Sequence, residues 1–169
     1  MNPADLPRPP PPRVLLVEDD PVSAAFLRDA LCALPAEVTL APTLARAMHE
    51  ATRGEAHALY LIDANLPDGR GEALLQALRA AGLDAPALAH TAADDARMRE
   101  RLLAGGFERV LCKPISVADL HAAVRTGLGE RGGDMPRGGK LPAWDEEAAL
   151  QAMGGQVAHV ASLRALFLQ

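Results

Sequence analysis

The sequence predicts an α/β protein built as a doubly wound, five-stranded parallel sheet, with a short helical extension at its C-terminal end. Three observations carry that prediction. Short apolar runs recur five times along the chain, and the first, Val14-Leu15-Leu16-Val17, is continuous, as in a parallel strand buried on both faces. Each run is followed by a segment whose apolar residues repeat at helical spacing. Four of the five also end in a polar or charged residue, and alternation of this kind gathers the carboxyl ends of the strands into one crevice at the topological switch point. Function is expected in that crevice.

The elements follow in order. Residues 1–12 hold six prolines, including Pro9-Pro10-Pro11-Pro12, and read as a flexible polyproline tail without core contacts. The first strand ends in Glu18-Asp19-Asp20, after which Pro21 suits the first position of a helix capped by Asp20. Val22, Phe26, Ala30 and Leu34 recur along that helix at helical spacing. Val38-Thr39-Leu40 is a short second strand, and Thr43 caps a helix running to about Arg53. The third strand, Ala58 to Ile62, leads into Asp63, and Asn65-Leu66-Pro67-Asp68-Gly69 supplies turn chemistry that stops it. Gly71 to Ala81 reads as a helix with Leu74, Leu75 and Leu78 inward. Ala87-Leu88-Ala89-His90 is a fourth strand ending at Thr91, and a helix from about Asp94 to Ala104 is stopped by Gly105-Gly106. Arg109 to Cys112 forms the fifth strand, ending at Lys113-Pro114. Ser116-Val117-Ala118-Asp119 is a capping box for a last helix carrying Leu120, Val124 and Leu128.

Composition narrows the function classes. With 169 residues, the chain has room for one full domain and a fragment of a second. Hydrophobic residues make up 49% and aromatics 3%, so the core must be aliphatic. No apolar run approaches the roughly 20 residues of a membrane helix, and no apolar signal segment opens the chain, so a cytoplasmic protein without a membrane partner is expected. The net charge of -5 and the absence of a Lys/Arg-rich run argue against direct binding of nucleic acid. Cys32 and Cys112 stand in apolar surroundings without CxxC spacing and are expected to be buried free thiols.

The strand ends carry the chemistry. Strand one ends in Glu18-Asp19, strand three in Asp63, strand four in Thr91 and strand five in Lys113. Three carboxylates in one crevice repel one another unless a cation joins them, and an all-oxygen open site suits Mg²⁺. A carboxylate there can act as a nucleophile toward a phosphoryl group, with the metal and Lys113 neutralising the phosphoryl oxygens and Thr91 donating to one of them. Asp20 is expected to serve only as a helix cap, and His90 as a wall or core residue.

Val14-Leu15-Leu16-Val17-Glu18-Asp19-Asp20-Pro21, Asp63-Ala64-Asn65-Leu66-Pro67-Asp68-Gly69-Arg70-Gly71, His90-Thr91-Ala92 and Cys112-Lys113-Pro114, in this order, resemble the receiver domain of bacterial two-component response regulators. The intervals of 44, 28 and 22 residues between Asp19, Asp63, Thr91 and Lys113 also suit that family. The resemblance covers residues 13 to about 130 and implies a flavodoxin-like fold. It implies Asp63 as phosphoacceptor, Asp19 as direct Mg²⁺ ligand and Glu18 as a ligand through water. Asn65 would give its backbone carbonyl to the metal, while Thr91 and Lys113 would bind phosphoryl oxygens. It also implies a cis Lys113-Pro114 bond, a histidine kinase or histidine phosphotransfer protein as donor, and signal output through the face of the fourth helix, fifth strand and fifth helix. That face or the C-terminal helix could also support a homodimer. Such a domain is not an enzyme toward external substrates and catalyses only its own phosphotransfer and dephosphorylation. One position departs from the family: Val110 stands where a Tyr or Phe usually lies, so the usual aromatic switch is not expected, and Phe107 is no obvious substitute.

Residues 131–140 are a Gly-rich linker by composition. Residues 141–169 read as two helices broken by Gly154-Gly155, and they resemble the opening of a histidine phosphotransfer (Hpt) domain without its phosphoaccepting helix. His159 lacks the sequence context of that helix. Two helices cannot make a four-helix bundle, so the chain is expected to be part of a longer relay protein or to dock this tail on the receiver or on a second copy. Two other readings compete with the phosphoacceptor: a phosphatase with an Asp nucleophile, which would need an acid where Asn65 stands, and a pseudo-receiver used only for docking.

Overall fold

The computed structural model of the protein describes residues 9–92 and 95–129. Five strands, β1 (Arg13–Val17), β2 (Glu37–Ala41), β3 (Leu59–Asp63), β6 (Ala87–Thr91) and β7 (Arg109–Cys112), form one parallel sheet in the order β2-β1-β3-β6-β7. The chain winds outward from β1 to β2 and then returns to the other side of β1, so strand order reverses between β1 and β3. That reversal opens the crevice at their carboxyl ends. Helices α1 (Pro21–Cys32), α2 (Leu44–Thr52), α3 (Gly71–Ala80) and α4 (Ala96–Ala104) lie between the strands, and α5 (Val117–Gly127) follows the last of them.

Period-two alternation divides the strand residues between two cores. Val14, Leu16, Leu59, Leu61 and Leu88 pack with Leu27 and Leu31 of α1 and Leu120 and Val124 of α5. Leu15, Val17, Tyr60, Ile62, Ala87 and Ala89 pack on the other face with Leu74, Leu75 and Leu78 of α3, Ala47 of α2 and Leu102 of α4. A sheet covered on both faces explains why the strands read as unbroken apolar runs.

The expected caps form. Asp20 accepts from the Ser23 amide at 2.7 Å, Thr43 from Arg46 at 3.1 Å and Ser116 from Asp119 at 3.1 Å. Helix α4 is capped by Asp95, whose carboxylate accepts from the Arg97 amide; Asp94, its expected start, lies outside the described residues. The helical row Val22, Phe26, Ala30, Leu34 needs correction. An i, i+4 row drifts by about 40° per step on a helix of 3.6 residues per turn. It therefore starts off the buried face, with Val22 67% exposed, packs against the core from Phe26 onward and is buried at Ala30, while Ala24, Leu27 and Leu31 complete the contact stripe and Leu34 is buried beyond the end of the helix. The thiols are a second correction, since Cys32 is exposed and Cys112 half-buried. Cys32 is one position round the helix from the buried Leu31, and Cys112 ends the edge strand β7. Pro12 is a third, because its carbonyl accepts from the Glu37 amide at 2.9 Å and extends the ladder between β1 and β2. The turn after Asp63 contains an unforeseen two-residue hairpin, β4 (Asn65–Leu66) with β5 (Gly69–Arg70). Residues 1–8 and 130–169 lie outside the described residues, and with them the expected linker and the two expected tail helices.

At the opposite end of β3 from the crevice, His57 is 4% exposed and neither ring nitrogen has a hydrogen-bond partner. Burial and then the neighbouring Arg13 charge push its pKa below the ordinary 6.5, against weaker pulls from Glu50 and Glu37. The unfolded chain thus binds a proton that the folded chain resists, so this contribution to stability is complete above about pH 6.5 and is lost as pH falls below it. Urea midpoints measured between pH 8 and 5 should fall toward acid in the wild type, and His57→Leu should flatten the upper part of that slope.

Candidate functional site

The alternation that sorts the cores also builds the site. Glu18 lies two residues beyond Leu16, Asp63 two beyond Leu61, His90 two beyond Leu88 and Lys113 two beyond Leu111, all four leucines packing on the α1 and α5 side. Four polar residues therefore continue one apolar face past the carboxyl edge of the sheet. Asp63 and His90 are direct partners in the register of β3 with β6. Thr91 continues the opposite face, after Ala89, and is fully buried, with its carbonyl accepting from the Lys113 amide at 2.8 Å.

Lys113 organises the cluster. Its Nζ donates to Glu18 Oε2 at 2.8 Å and to Asp63 Oδ2 at 2.7 Å. The Lys113-Pro114 bond is cis, as the resemblance implied. Asp63 Oδ1 accepts from the Asn65 amide at 2.8 Å, which ties the nucleophile candidate to the hairpin that follows it. Glu18 Oε1 accepts from the Asp20 amide at 3.2 Å, and His90 Nδ1 stands 3.4 Å from Glu18 Oε2. At that distance the contact is electrostatic and falls short of a good hydrogen bond.

The two buried carboxylates respond differently to one ammonium. Burial works against ionising Glu18, but His90, Lys113 and the Asp20 amide outweigh it and its pKa falls from 4.5 to about 2. At Asp63 burial wins over the Asn65 amide and Lys113, with Glu18 adding repulsion, and the pKa rises above its ordinary 3.8. The Lys113 pKa is raised, since Asp63 and Glu18 together overcome its own burial. Two carboxylates sharing one ammonium leave excess negative charge in a buried place. A hard divalent cation held by oxygen donors fits that excess, and Glu18, Asp63 and the neighbouring Asp19 supply such donors.

Asp19 and Asn65 are exposed at the rim, beside Glu18 and Asp63 in sequence. Among the described residues the acidic and imidazole groups that come within 4.8 Å of one another are Glu18, Asp63 and His90. His90 is buried, as expected of a wall residue, and the structure adds its approach to Glu18 and Asp63. Its two-residue offset from Leu88 and its place opposite Asp63 were the signal, and the second of these needs the strand register. Asp68 was read only as a turn residue; its carboxylate accepts from the Leu44 and Ala45 amides at 2.8 and 3.0 Å, pinning the start of α2 to the loop after Asp63.

Gly71 holds that loop close. A Cβ there would stand 2.5 Å from the Asp63 carbonyl oxygen and 3.1 Å from Ile62 Cγ2, both fixed by the sheet. Gly71→Ala should cost about 1–3 kcal/mol in urea unfolding, as overpacking does, and should disturb the Asp63 backbone more than a similar change on the surface.

Among the described residues no helix is long and apolar enough to cross a membrane. The family model for the response regulator receiver domain matches residues 14–125. The chain is 36% identical over 121 residues to the transcriptional regulatory protein PrrA of Mycobacterium bovis, covering 72% of this chain and 52% of that protein. It therefore spans about half the length of such relatives. It is 33% identical over 115 residues to the sensor histidine kinase TmoS of Ectopseudomonas mendocina, covering 67% of this chain and 12% of the kinase. Among solved structures, the receiver domain of the Pseudomonas aeruginosa sensor histidine kinase PA1611, with a magnesium ion coordinated in its active-site cleft, superimposes with a TM-score of 0.64 at 30% identity over 70% of this chain and 98% of that one. With the sheet order, the acidic crevice and the family match in agreement, the chain belongs to the receiver domains of two-component response regulators.

Proposed function

We propose that Asp63 accepts a phosphoryl group from a phosphohistidine on a sensor kinase or a histidine phosphotransfer protein. The observation that carries this reading is the Lys113 ammonium bridging Asp63 and Glu18 at 2.7 and 2.8 Å, a cation beside a buried carboxylate where phosphoryl charge would be neutralised. An Asp63 oxygen attacks phosphorus, an O–P bond forms, and the N–P bond breaks with its electron pair left on the donor imidazole, which takes a proton from solvent. Water attack on phosphorus later returns the Asp63 carboxylate and inorganic phosphate. That self-limited hydrolysis is the only turnover we assign, so the domain is a signalling switch and not an enzyme for external substrates.

Asp19, Asp63 and the Asn65 backbone carbonyl would hold Mg²⁺ directly and Glu18 through water. Bound there, the metal would neutralise phosphoryl charge. Lys113 and Thr91 bind the phosphoryl oxygens. A phosphatase with an Asp nucleophile is not favoured, because Asn65 presents an amide where its acid would be needed, and the paired buried carboxylates speak against a purely docking pseudo-receiver. We place the domain at residues 13–130 in the cytoplasm, with 131–140 as linker and 141–169 as the opening of an Hpt domain. We assign output and self-association to the face of α4, β7 and α5, where Leu103 is 44% exposed and Val110 replaces the usual aromatic residue. The deciding experiment is to incubate the chain with acetyl phosphate and Mg²⁺, trap the product with borohydride and map the modified peptide. Modification at Asp63 is the expected outcome, and modification elsewhere or none at all would refute the assignment.

A further inference from the structure

We propose that His90 is a positioning residue of the phosphoacceptor site, taking over Glu18 as hydrogen-bond donor when Lys113 turns toward a phosphoryl group on Asp63. The inference rests on the reading of Asp63 as phosphoacceptor. In the phosphoryl-free chain Lys113 holds Glu18 Oε2 and Asp63 Oδ2 together. A phosphoryl group on Asp63 places new anionic oxygens beside Nζ, and a flexible ammonium with three donors redistributes toward them. Glu18 is 1% exposed, and its Oε2 would then lose its one close donor, leaving the Asp20 amide on the other oxygen and, where Mg²⁺ is bound, a water of the metal. A buried carboxylate short of a partner is strongly disfavoured.

His90 is built to fill that gap. It is 2% exposed, neither ring nitrogen has a hydrogen-bond partner, and Nδ1 stands 3.4 Å from the same Oε2 that Lys113 now holds. A closing movement of about 0.5 Å brings that pair to an ordinary N–H···O distance. No change of charge is required, because a neutral imidazole with its proton on Nδ1 is the donor. In the phosphoryl-free state the imidazole gives Glu18 only the long 3.4 Å contact, and Leu88, two residues earlier on the same strand face, shows that this face accepts an aliphatic side chain. The imidazole gains its partner when the ammonium leaves. The Glu18, Asp63 and His90 ligand atoms are also close enough to hold a cation, but here Lys113 Nζ already contacts both carboxylates.

The test uses the full chain with His90→Leu, which removes the donor, and His90→Asn, whose amide nitrogen replaces Nδ1. Mg²⁺ affinity is measured by calorimetry, and beryllofluoride affinity in the presence of Mg²⁺ reports the phosphoryl-bearing state. His90→Leu should bind Mg²⁺ within about twofold of wild type yet bind beryllofluoride roughly ten- to a hundred-fold more weakly, the range for a hydrogen bond to a charged group. His90→Asn should restore most of that loss. Should His90→Leu fail to fold, Asn against Gln carries the same contrast, since Gln reaches the Nε2 position and should not rescue. Equal beryllofluoride binding by wild type and Leu, or no difference between Asn and its control, overturns the proposal. So does a parallel loss of Mg²⁺ affinity, which would make His90 a metal ligand. Failure of the wild type to bind beryllofluoride at all is a different result and refutes the phosphoacceptor reading itself.

Discussion

Asp63→Asn is expected to take up no label from acetyl phosphate and Mg²⁺ under conditions that label the wild type. The amide has no anionic oxygen to attack phosphorus, and among the described residues no other carboxylate has the same pairing with Lys113 and the Asn65 amide. The loss should be a chemical one. An amide oxygen still accepts from Asn65, and replacing a buried carboxylate removes repulsion against Glu18 and the desolvation that raises the Asp63 pKa. Against that gain Lys113 loses one anionic partner, so urea stability should stay level or rise by about 1 kcal/mol. A variant that is folded, at least as stable and unlabelled would separate reactivity from structure; a variant labelled as fast as wild type would remove Asp63 from the reaction.

Lys113→Met is expected to lower the labelling rate by about 10²–10³-fold, the scale for deleting one fixed donor that meets charge developing in a transition state. It should also cost stability. Breaking a fully buried ion pair from one side costs about 3–5 kcal/mol, but the Lys113 side chain is 24% exposed and water shares the work, so about 1–3 kcal/mol is expected in the absence of divalent cations. Mg²⁺ should recover part of this by supplying positive charge to the same carboxylates. Guanidinium or urea midpoints with and without Mg²⁺ measure it. A penalty that Mg²⁺ leaves untouched would mean that Lys113 acts on packing and not on charge.

Much of this protein could be read directly from its residues. Five apolar runs with helical segments between them impose a sheet with helices on both faces, because a strand buried on both faces must be continuously apolar and parallel strands need crossover helices. Caps at Asp20, Thr43 and Ser116 follow from local hydrogen bonding, and Asp63 and Lys113 stood out as polar ends of apolar strands. Misjudged residues were those whose environment depends on distant parts of the chain. The row from Val22 to Leu34 meets the core at all but its first residue, Val22, and Cys32 and Cys112 take their exposure from a helix side and an edge strand and not from their apolar neighbours in sequence.

By itself, then, the sequence determined the fold class, the strand ends and the chemical types gathered there, since these depend on local pattern. Only the tertiary structure decided which of those groups share a face. Strand register, which no single strand encodes, sets Asp63 opposite His90 and leaves one ammonium between two buried carboxylates. It is the same register that makes His90, read from its neighbours as wall, the nearest unpartnered imidazole to Glu18 among the described residues.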